Sequence, residues 1–179
     1  MTFNKQTYYN NNTTMIKKII AMTLLAILLI PSVANADLAY CFNQAANFYK
    51  VPQDILMAIA DVESGFNPYA IDVEGTPYFP NNYSGALNIV DKYSNLSIDI
   101  GIMQVNSFWF NKLHYPLKYG LRPCDDVYLG AYVLSRKIAR YGYNWKGIAA
   151  YHSADYTAGL IYANKVYAVL RQLRSNGNG

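Results

Sequence analysis

The sequence predicts a mainly α-helical single domain with a small irregular β insert, and three features carry that prediction. Several segments with good capping residues place apolar side chains at helical spacing. One long stretch, residues 66–95, is rich in Asn, Pro, Gly, Ser and Tyr and reads as loop. Only one short run, Leu96-Ser97-Ile98-Asp99-Ile100, alternates strictly as a half-buried strand does.

The first 36 residues stand outside the fold. Lys17-Lys18 precede the apolar run Ile19–Ile30, and Ala34-Asn35-Ala36 is the small-residue pattern of a cleavage site, so residues 1–36 read as a signal peptide and the mature domain as 37–179. The apolar run is short for a membrane span, although an uncleaved anchor is the alternative. Met15 offers a second start, with Met15-Ile16-Lys17-Lys18 as a compact basic region. An exported bacterial chain of this kind is expected in the periplasm. On that ground the two glycosylation-like triplets, Asn82-Tyr83-Ser84 and Asn95-Leu96-Ser97, are coincidental.

Within the mature chain, Cys41–Tyr49 forms a short first helix. Val51–Gly65 holds the next, with Pro52 at its first position and Gly65 at its stop. Asp125 or Asp126 can cap a helix that runs to Tyr141, with Ala131, Leu134 and Ile138 as its apolar stripe and Gly142 as its end. Asn144 can cap Trp145–Tyr151. A last helix from about Tyr156 to Arg174 presents Leu160, Val166, Leu170 and Leu173, and the Gly177-Asn178-Gly179 end frays.

The leader explains most of the formal charge of +4: without Lys5, Lys17 and Lys18 the mature chain holds twelve basic and eleven acidic residues. Nucleic-acid binding therefore has no support from bulk charge. The basic residues are unevenly spread, with seven in 130–179 against Asp155 alone. Such a half suits either an anionic polymer or ordinary solvated helix faces. Cys41 and Cys124 are an even pair in an exported chain, which suggests a disulfide across 83 positions. A lipoprotein cysteine at Cys41 is the competing reading, but Tyr40 stands where a small residue is needed.

Glu63 is the most informative residue. At about 100° per residue it falls between Leu56 and Ile59 on the face that also carries Ile55 and Val62, whereas Asp61 points away. A carboxyl on an apolar face is desolvated, keeps its proton towards neutral pH and can act as a general acid. Alternatively, a helix-end Glu lies at the rim of the stripe and reaches water. Other chemistries lack their parts. His114 and His152 have no metal spacing, and neither a Gly-x-Ser-x-Gly elbow nor a phosphate-binding glycine loop occurs. No metal or cofactor is expected. Sixteen of the eighteen tyrosines lie in the mature chain. Their rings with a polar tip suit sugar faces, although most are expected to serve packing.

Four motifs then follow in order: Glu63-Ser64-Gly65-Phe66-Asn67-Pro68, Gly101-Ile102-Met103-Gln104-Val105-Asn106, Ala150-Tyr151-His152-Ser153 and Tyr162-Ala163-Asn164-Lys165-Val166. The series resembles lytic transglycosylases with the goose-type lysozyme fold, in particular the small single-domain kind found with type IV conjugation and type III secretion machinery. The resemblance covers nearly all of 39–170. It implies a lysozyme-like fold, Glu63 as catalytic acid/base, and Ser64, Met103, Gln104, Tyr151, His152 and Tyr162 as substrate-binding residues. Gln104 would address an acetamido sugar, and the Tyr162 hydroxyl would face the acid. Plain core packing is the alternative for Met103, and a hydrogen-bonded structural role is the alternative for His152. It further implies peptidoglycan glycan strands as substrate, components of such machinery as partners, and a monomer.

Two departures accompany the resemblance. His152 replaces the usual Asn of the third motif, and residues 73–94 form a longer insert than the family pattern, suited to a groove wall or a docking loop. By resemblance, Glu63 would first protonate the bond between N-acetylmuramic acid and N-acetylglucosamine and then deprotonate the muramyl C6 hydroxyl, giving a 1,6-anhydro product without water. A goose-type hydrolase needs a second acid instead, for which Asp72, Glu74 and Asp99 are the nearby candidates. A non-catalytic envelope protein that docks on a secretion apparatus is the remaining alternative.

Overall fold

A computed structural model describes residues 33–176, and from Leu38 onward the chain forms one compact unit. The expected leader, 1–36, lies outside the described residues except for the helical backbone of 33–36. Seven α-helices are described. They are α1 (Val33–Tyr49), α2 (Gln53–Ser64), α3 (Tyr83–Lys92), α4 (Ser107–Lys112), α5 (Pro123–Tyr141), α6 (Trp145–His152) and α7 (Tyr156–Asn176), with a 3-10 turn at Leu117–Leu121 before α5. Strands β1 (Ile71–Val73), β2 (Thr76–Tyr78), β3 (Ile98–Ile100) and β4 (Val105–Asn106) make one antiparallel sheet in the order β2-β1-β3-β4. The mainly α architecture with a small sheet is the fold that the sequence predicts.

Helix α2 is the spine of the domain. Pro52 stands just before it as the N-cap rather than inside it. Ile55, Leu56, Ala58, Ile59 and Ala60 are buried, and the helix packs against α7. Gly65 at φ +60° and Phe66 at φ +62° end it with two left-handed residues, and the Gly65 N–H reaches back to the Asp61 carbonyl. Such an ending turns the chain sharply and leaves Glu63 in the last turn, over the sheet.

Three expectations are corrected. Residues 66–95 are not a loop: β1 and β2 form a hairpin, and α3 follows, with Ala86 and Val90 buried. The Asn82 side chain accepts the Gly85 N–H and caps α3, so the first glycosylation-like triplet is a helix start. In α5 neither Asp125 nor Asp126 is the cap. Pro123 opens the helix after Arg122, which places both acids in the first turn. In α7 Leu160 is exposed, and Tyr162, Ala163, Val166 and Leu170 form the buried stripe instead.

The core runs from Phe42 through Leu56 and Ile59 to Ile100, Met103, Leu134 and Val166, all essentially without exposure. Cys41 and Cys124 are joined, with Cα atoms 5.3 Å apart, and tie α1 to the first turn of α5. Closing 83 positions stabilises by about 4 kcal/mol in the chain-entropy account. Most tyrosines serve packing, as in the ring cluster of Tyr49, Tyr128 and Tyr132.

Candidate active site

Strand periodicity builds one wall of the site. Side chains alternate across a sheet, so Ile71, Ile100 and Val105 point into the core, while their register neighbours Asp72, Asp99 and Asn106 form a polar row on the other face. The row runs straight across β1, β3 and β4, because Asp72 is paired with Asp99 and Asp99 with Asn106. Carboxylates directly opposite repel. Neighbours relieve this: Asn106 Nδ2 donates to Asp99 at 2.7 Å, and the Gly75 N–H donates to Asp72 at 2.6 Å. The row faces a cleft of about 580 Å³, with Glu63 at one side and Trp109, Tyr151 and His152 around it. A smaller hollow of about 280 Å³ adjoins it, lined by Glu63, His152, Tyr162 and Lys165. Glu63 and His152 thus belong to both spaces.

The Glu63 carboxyl is held as an acid. Burial is the main cause and pushes its pKa up to about 7; Asp99 adds to the rise, while the Tyr162 hydroxyl and Lys165 hold it back. The Tyr162 hydroxyl is buried and faces the carboxyl, just outside full hydrogen-bonding geometry. Burial likewise raises Asp99, with Asn106 opposing it. Near pH 7 the cleft therefore presents one carboxyl that is part protonated and able both to give and to take a proton.

The turn Gly101–Gln104 supports this carboxyl and is clamped on every side. Ser64 Oγ donates to the Ile102 carbonyl at 2.8 Å, and the Tyr151 hydroxyl donates to the Met103 carbonyl at 2.9 Å. The Met103 N–H donates to Asp126 Oδ2 at 2.7 Å. Gln104 has a left-handed backbone, φ +45°, which its own amide stabilises by donating to Ala70 O at 2.9 Å and Gly101 O at 2.8 Å. Gly101, at φ +83°, cannot carry a side chain, since a Cβ would strike the Gly120 carbonyl and Asp126 Oδ2.

Of the residues singled out from sequence, Glu63, Gln104, Tyr151 and His152 line the cleft, and Tyr162 lines the adjoining hollow. His152 stacks on Tyr162 with ring centroids 4.9 Å apart. Two expectations change. Met103 does not line the groove: its side chain is fully buried and fills the space over Gly130. Ser64 spends its hydroxyl proton on main-chain carbonyls, so it positions the turn rather than a ligand. Both donors of the Gln104 amide are engaged as well, which leaves its oxygen for a ligand. Of the insert at 73–94 only Gly75 reaches the cleft edge, beside Asp72.

Asp126 is the buried acid behind the site that sequence reasoning passes over. It is wholly buried, one of its oxygens lacks a partner, and burial drives its pKa well above the usual carboxylate range, with the negative charge of Glu63 adding to the rise. Its proximity to Asp125 suggests only a helix start; its partner Met103 is 23 positions away. Asp99, Trp109 and Lys137 are also brought to the cleft. Among the described residues no three His, Cys, Asp or Glu side chains converge as metal ligands.

A lysozyme-like frame with a desolvated acid, Glu63, at a sugar-sized cleft defines a class of glycan-cleaving enzymes, and comparison with known proteins says which. Residues 40–159 match the family described as Transglycosylase SLT domain, and the chain belongs to it: it is a peptidoglycan lytic transglycosylase. Among its relatives is Protein IpgF of Shigella sonnei, 33% identical over 129 residues, which cover 69% of this chain and 70% of that one. Invasion protein IagB of Salmonella typhimurium (strain SL1344) is 32% identical over 126 residues, 66% of this chain and 65% of its own. X polypeptide of Escherichia coli is 29% identical over 166 residues, 86% and 85% of the two chains.

Proposed function

We propose that this enzyme cuts the β-1,4 bond between N-acetylmuramic acid and N-acetylglucosamine and leaves a 1,6-anhydromuramyl end. The observation that carries the reading is the placement of a single carboxyl with a pKa of about 7 where two hollows meet, so that a strand crossing from one to the other lays a glycosidic oxygen over Glu63. Glu63 donates its proton to that oxygen as the bond to C1 breaks, and the strand beyond leaves as an alcohol. The carboxylate then takes the proton of the muramyl C6 hydroxyl while that oxygen closes on C1. One residue gives and recovers one proton, and no water is consumed. A pKa near the working pH suits both halves of the cycle. The Tyr162 hydroxyl steadies the carboxylate between the steps, Gln104 Oε1 accepts an acetamido N–H, and Tyr151 and His152 line the sugar path.

Export through a cleaved leader to the periplasm, and local opening of the wall for a secretion or conjugation apparatus, complete the reading; the relative named as an invasion protein supports that setting. Mass analysis of fragments from purified peptidoglycan tests the chemistry: anhydromuramyl ends are expected, and reducing ends would overturn it. A hydrolytic alternative has one observation in its favour, since Asp99 shares the cleft with Glu63 and could orient a water. Digestion in ¹⁸O-labelled water separates the two, because only hydrolysis fixes the label in the new end.

A further inference from the structure

Beyond Trp109 the cleft continues into another hollow, of about 480 Å³, and Trp109 and Lys137 wall both spaces. Helix α4 contributes Phe108 and Lys112 to it, and the last turns of α5 contribute Arg136, Lys137 and Arg140. No acidic residue lines it. Among the described residues the ion pairs are Arg122–Asp125 and Arg174–Asp54, so none of these four cations has a carboxylate partner there.

Their arrangement is costly for the protein alone. Arg136 and Arg140 stand four apart on one helix, and Lys137 and Arg140 three apart, spacings at which like charges repel. Burial and Arg140 together depress the pKa of Lys137. The negative end of the α5 dipole favours a cation only within the last turn. That accounts for Arg140, and the end of α4 for Lys112, but not for Arg136 or Lys137. Aromatic rings fix some of the cations without neutralising them: Lys112 Nζ lies 5.5 Å from the Phe108 ring centre and 5.2 Å from that of Trp109, and the Arg140 guanidinium 5.3 Å from that of Tyr141. A fixed, unneutralised cationic hollow continuous with a glycan cleft is a place for an anion attached to the glycan.

We propose that this hollow binds the carboxylates of the peptide stem carried by a muramyl unit in the cleft, so that the enzyme prefers strands with stems to bare strands. The proposal rests on the reading of the cleft as the glycan site. The stem leaves the sugar through a lactyl ether and bears free carboxylates along a short peptide. Guanidinium groups pair with such carboxylates through two parallel hydrogen bonds, and the Trp109 and Phe108 rings offer surface to the lactyl and alanyl methyls.

The test uses uncrosslinked glycan strands in two preparations, with stems intact and with stems removed by an amidase. The wild type is expected to cleave the stem-bearing strands about fivefold faster at low salt, the effect of two exposed charge pairs, and to lose most of that advantage in 0.5 M salt. The Arg136→Ala/Arg140→Ala variant, altered outside the catalytic cleft, should cleave both preparations at the rate of the wild type on bare strands. The Arg136→Lys/Arg140→Lys variant should recover part of the preference. Equal rates for the wild type on the two preparations, or an equal loss on both in the alanine variant, would overturn the proposal. A wild type that cleaves neither preparation overturns the reading of the cleft, and this proposal with it.

Discussion

Replacing Glu63 with Gln should stabilise the folded protein at pH 8 and leave it nearly unchanged at pH 4. Gln keeps the shape and a polar contact for Tyr162 but cannot ionise. In the wild type the folded state binds the Glu63 proton more tightly than the unfolded chain does, because its pKa rises from 4.5 to about 7. The associated stability is fully present below about pH 4.5 and is lost as pH rises through 7. Each pKa unit is worth about 1.36 kcal/mol, so the full cost of ionising Glu63 in the fold reaches about 3 kcal/mol. For a domain of this size that corresponds to a rise of about 10 °C in Tm for the variant at pH 8. Asp99 and Asp126 also have raised pKa values; because the Glu63 charge adds to the rise of Asp126, its removal relieves Asp126 as well and shifts the difference in the same direction. Thermal unfolding followed by circular dichroism from pH 4 to pH 8 reads the effect. A Tm difference that is constant across this range, or a variant less stable at pH 8, would refute the desolvated acid.

Other outcomes follow from the same geometry. Tyr162→Phe removes a hydroxyl that holds the Glu63 pKa down, so the alkaline limb of the activity profile should move to higher pH, whereas Asp99→Asn removes a charge that raises it and should move the limb to lower pH; shifts in the same direction would contradict the assignment. Asp126→Asn preserves an acceptor for the Met103 N–H and should fold and retain activity, while Asp126→Leu should lose about 1–3 kcal/mol by denaturant titration because that donor is left buried and unpaired. Gly101→Ala should abolish cleavage and lower the urea midpoint, since a methyl at φ +83° meets the Gly120 carbonyl. Reduction of the wild type, or Cys41→Ser/Cys124→Ser, should cost about 4 kcal/mol in the same titration.

How far the sequence reveals this structure depends on the range of the interactions. Helix α2 is legible because its signals are local: a proline before it, a glycine after it, and an apolar stripe that Glu63 interrupts. The strand at 98–100 is legible for the same reason, through alternation over five residues. Helix α3 is not, because only Ala86 and Val90 are buried, and its capping Asn82 sits among residues that equally favour turns. The hairpin β1–β2 escapes notice because three-residue strands are too short to show a period. In the site, the resemblance between motifs brings Glu63, Gln104, Tyr151 and His152 to one cleft, but it cannot tell a side chain that lines the cleft from one that supports it. Met103 and Ser64 carry the motif and face inward, because the close turn at Gly101 directs the Met103 side chain towards Gly130 and the Ser64 hydroxyl onto Ile102 O. Asp126 depends on a contact between distant segments, for which a single sequence has no marker, and the cationic hollow shows in the sequence only as the basic excess of 130–179.

A direct titration of the Glu63 carboxyl tests the central claim most closely. With ¹³C-labelled glutamate in the protein, and Glu63→Gln to assign the signal, the carboxyl resonance is followed from pH 3 to pH 9. A midpoint near 7 is expected. A midpoint near the ordinary 4.5 would mean that Glu63 holds no proton to give at neutral pH, and the mechanism built on it would fail.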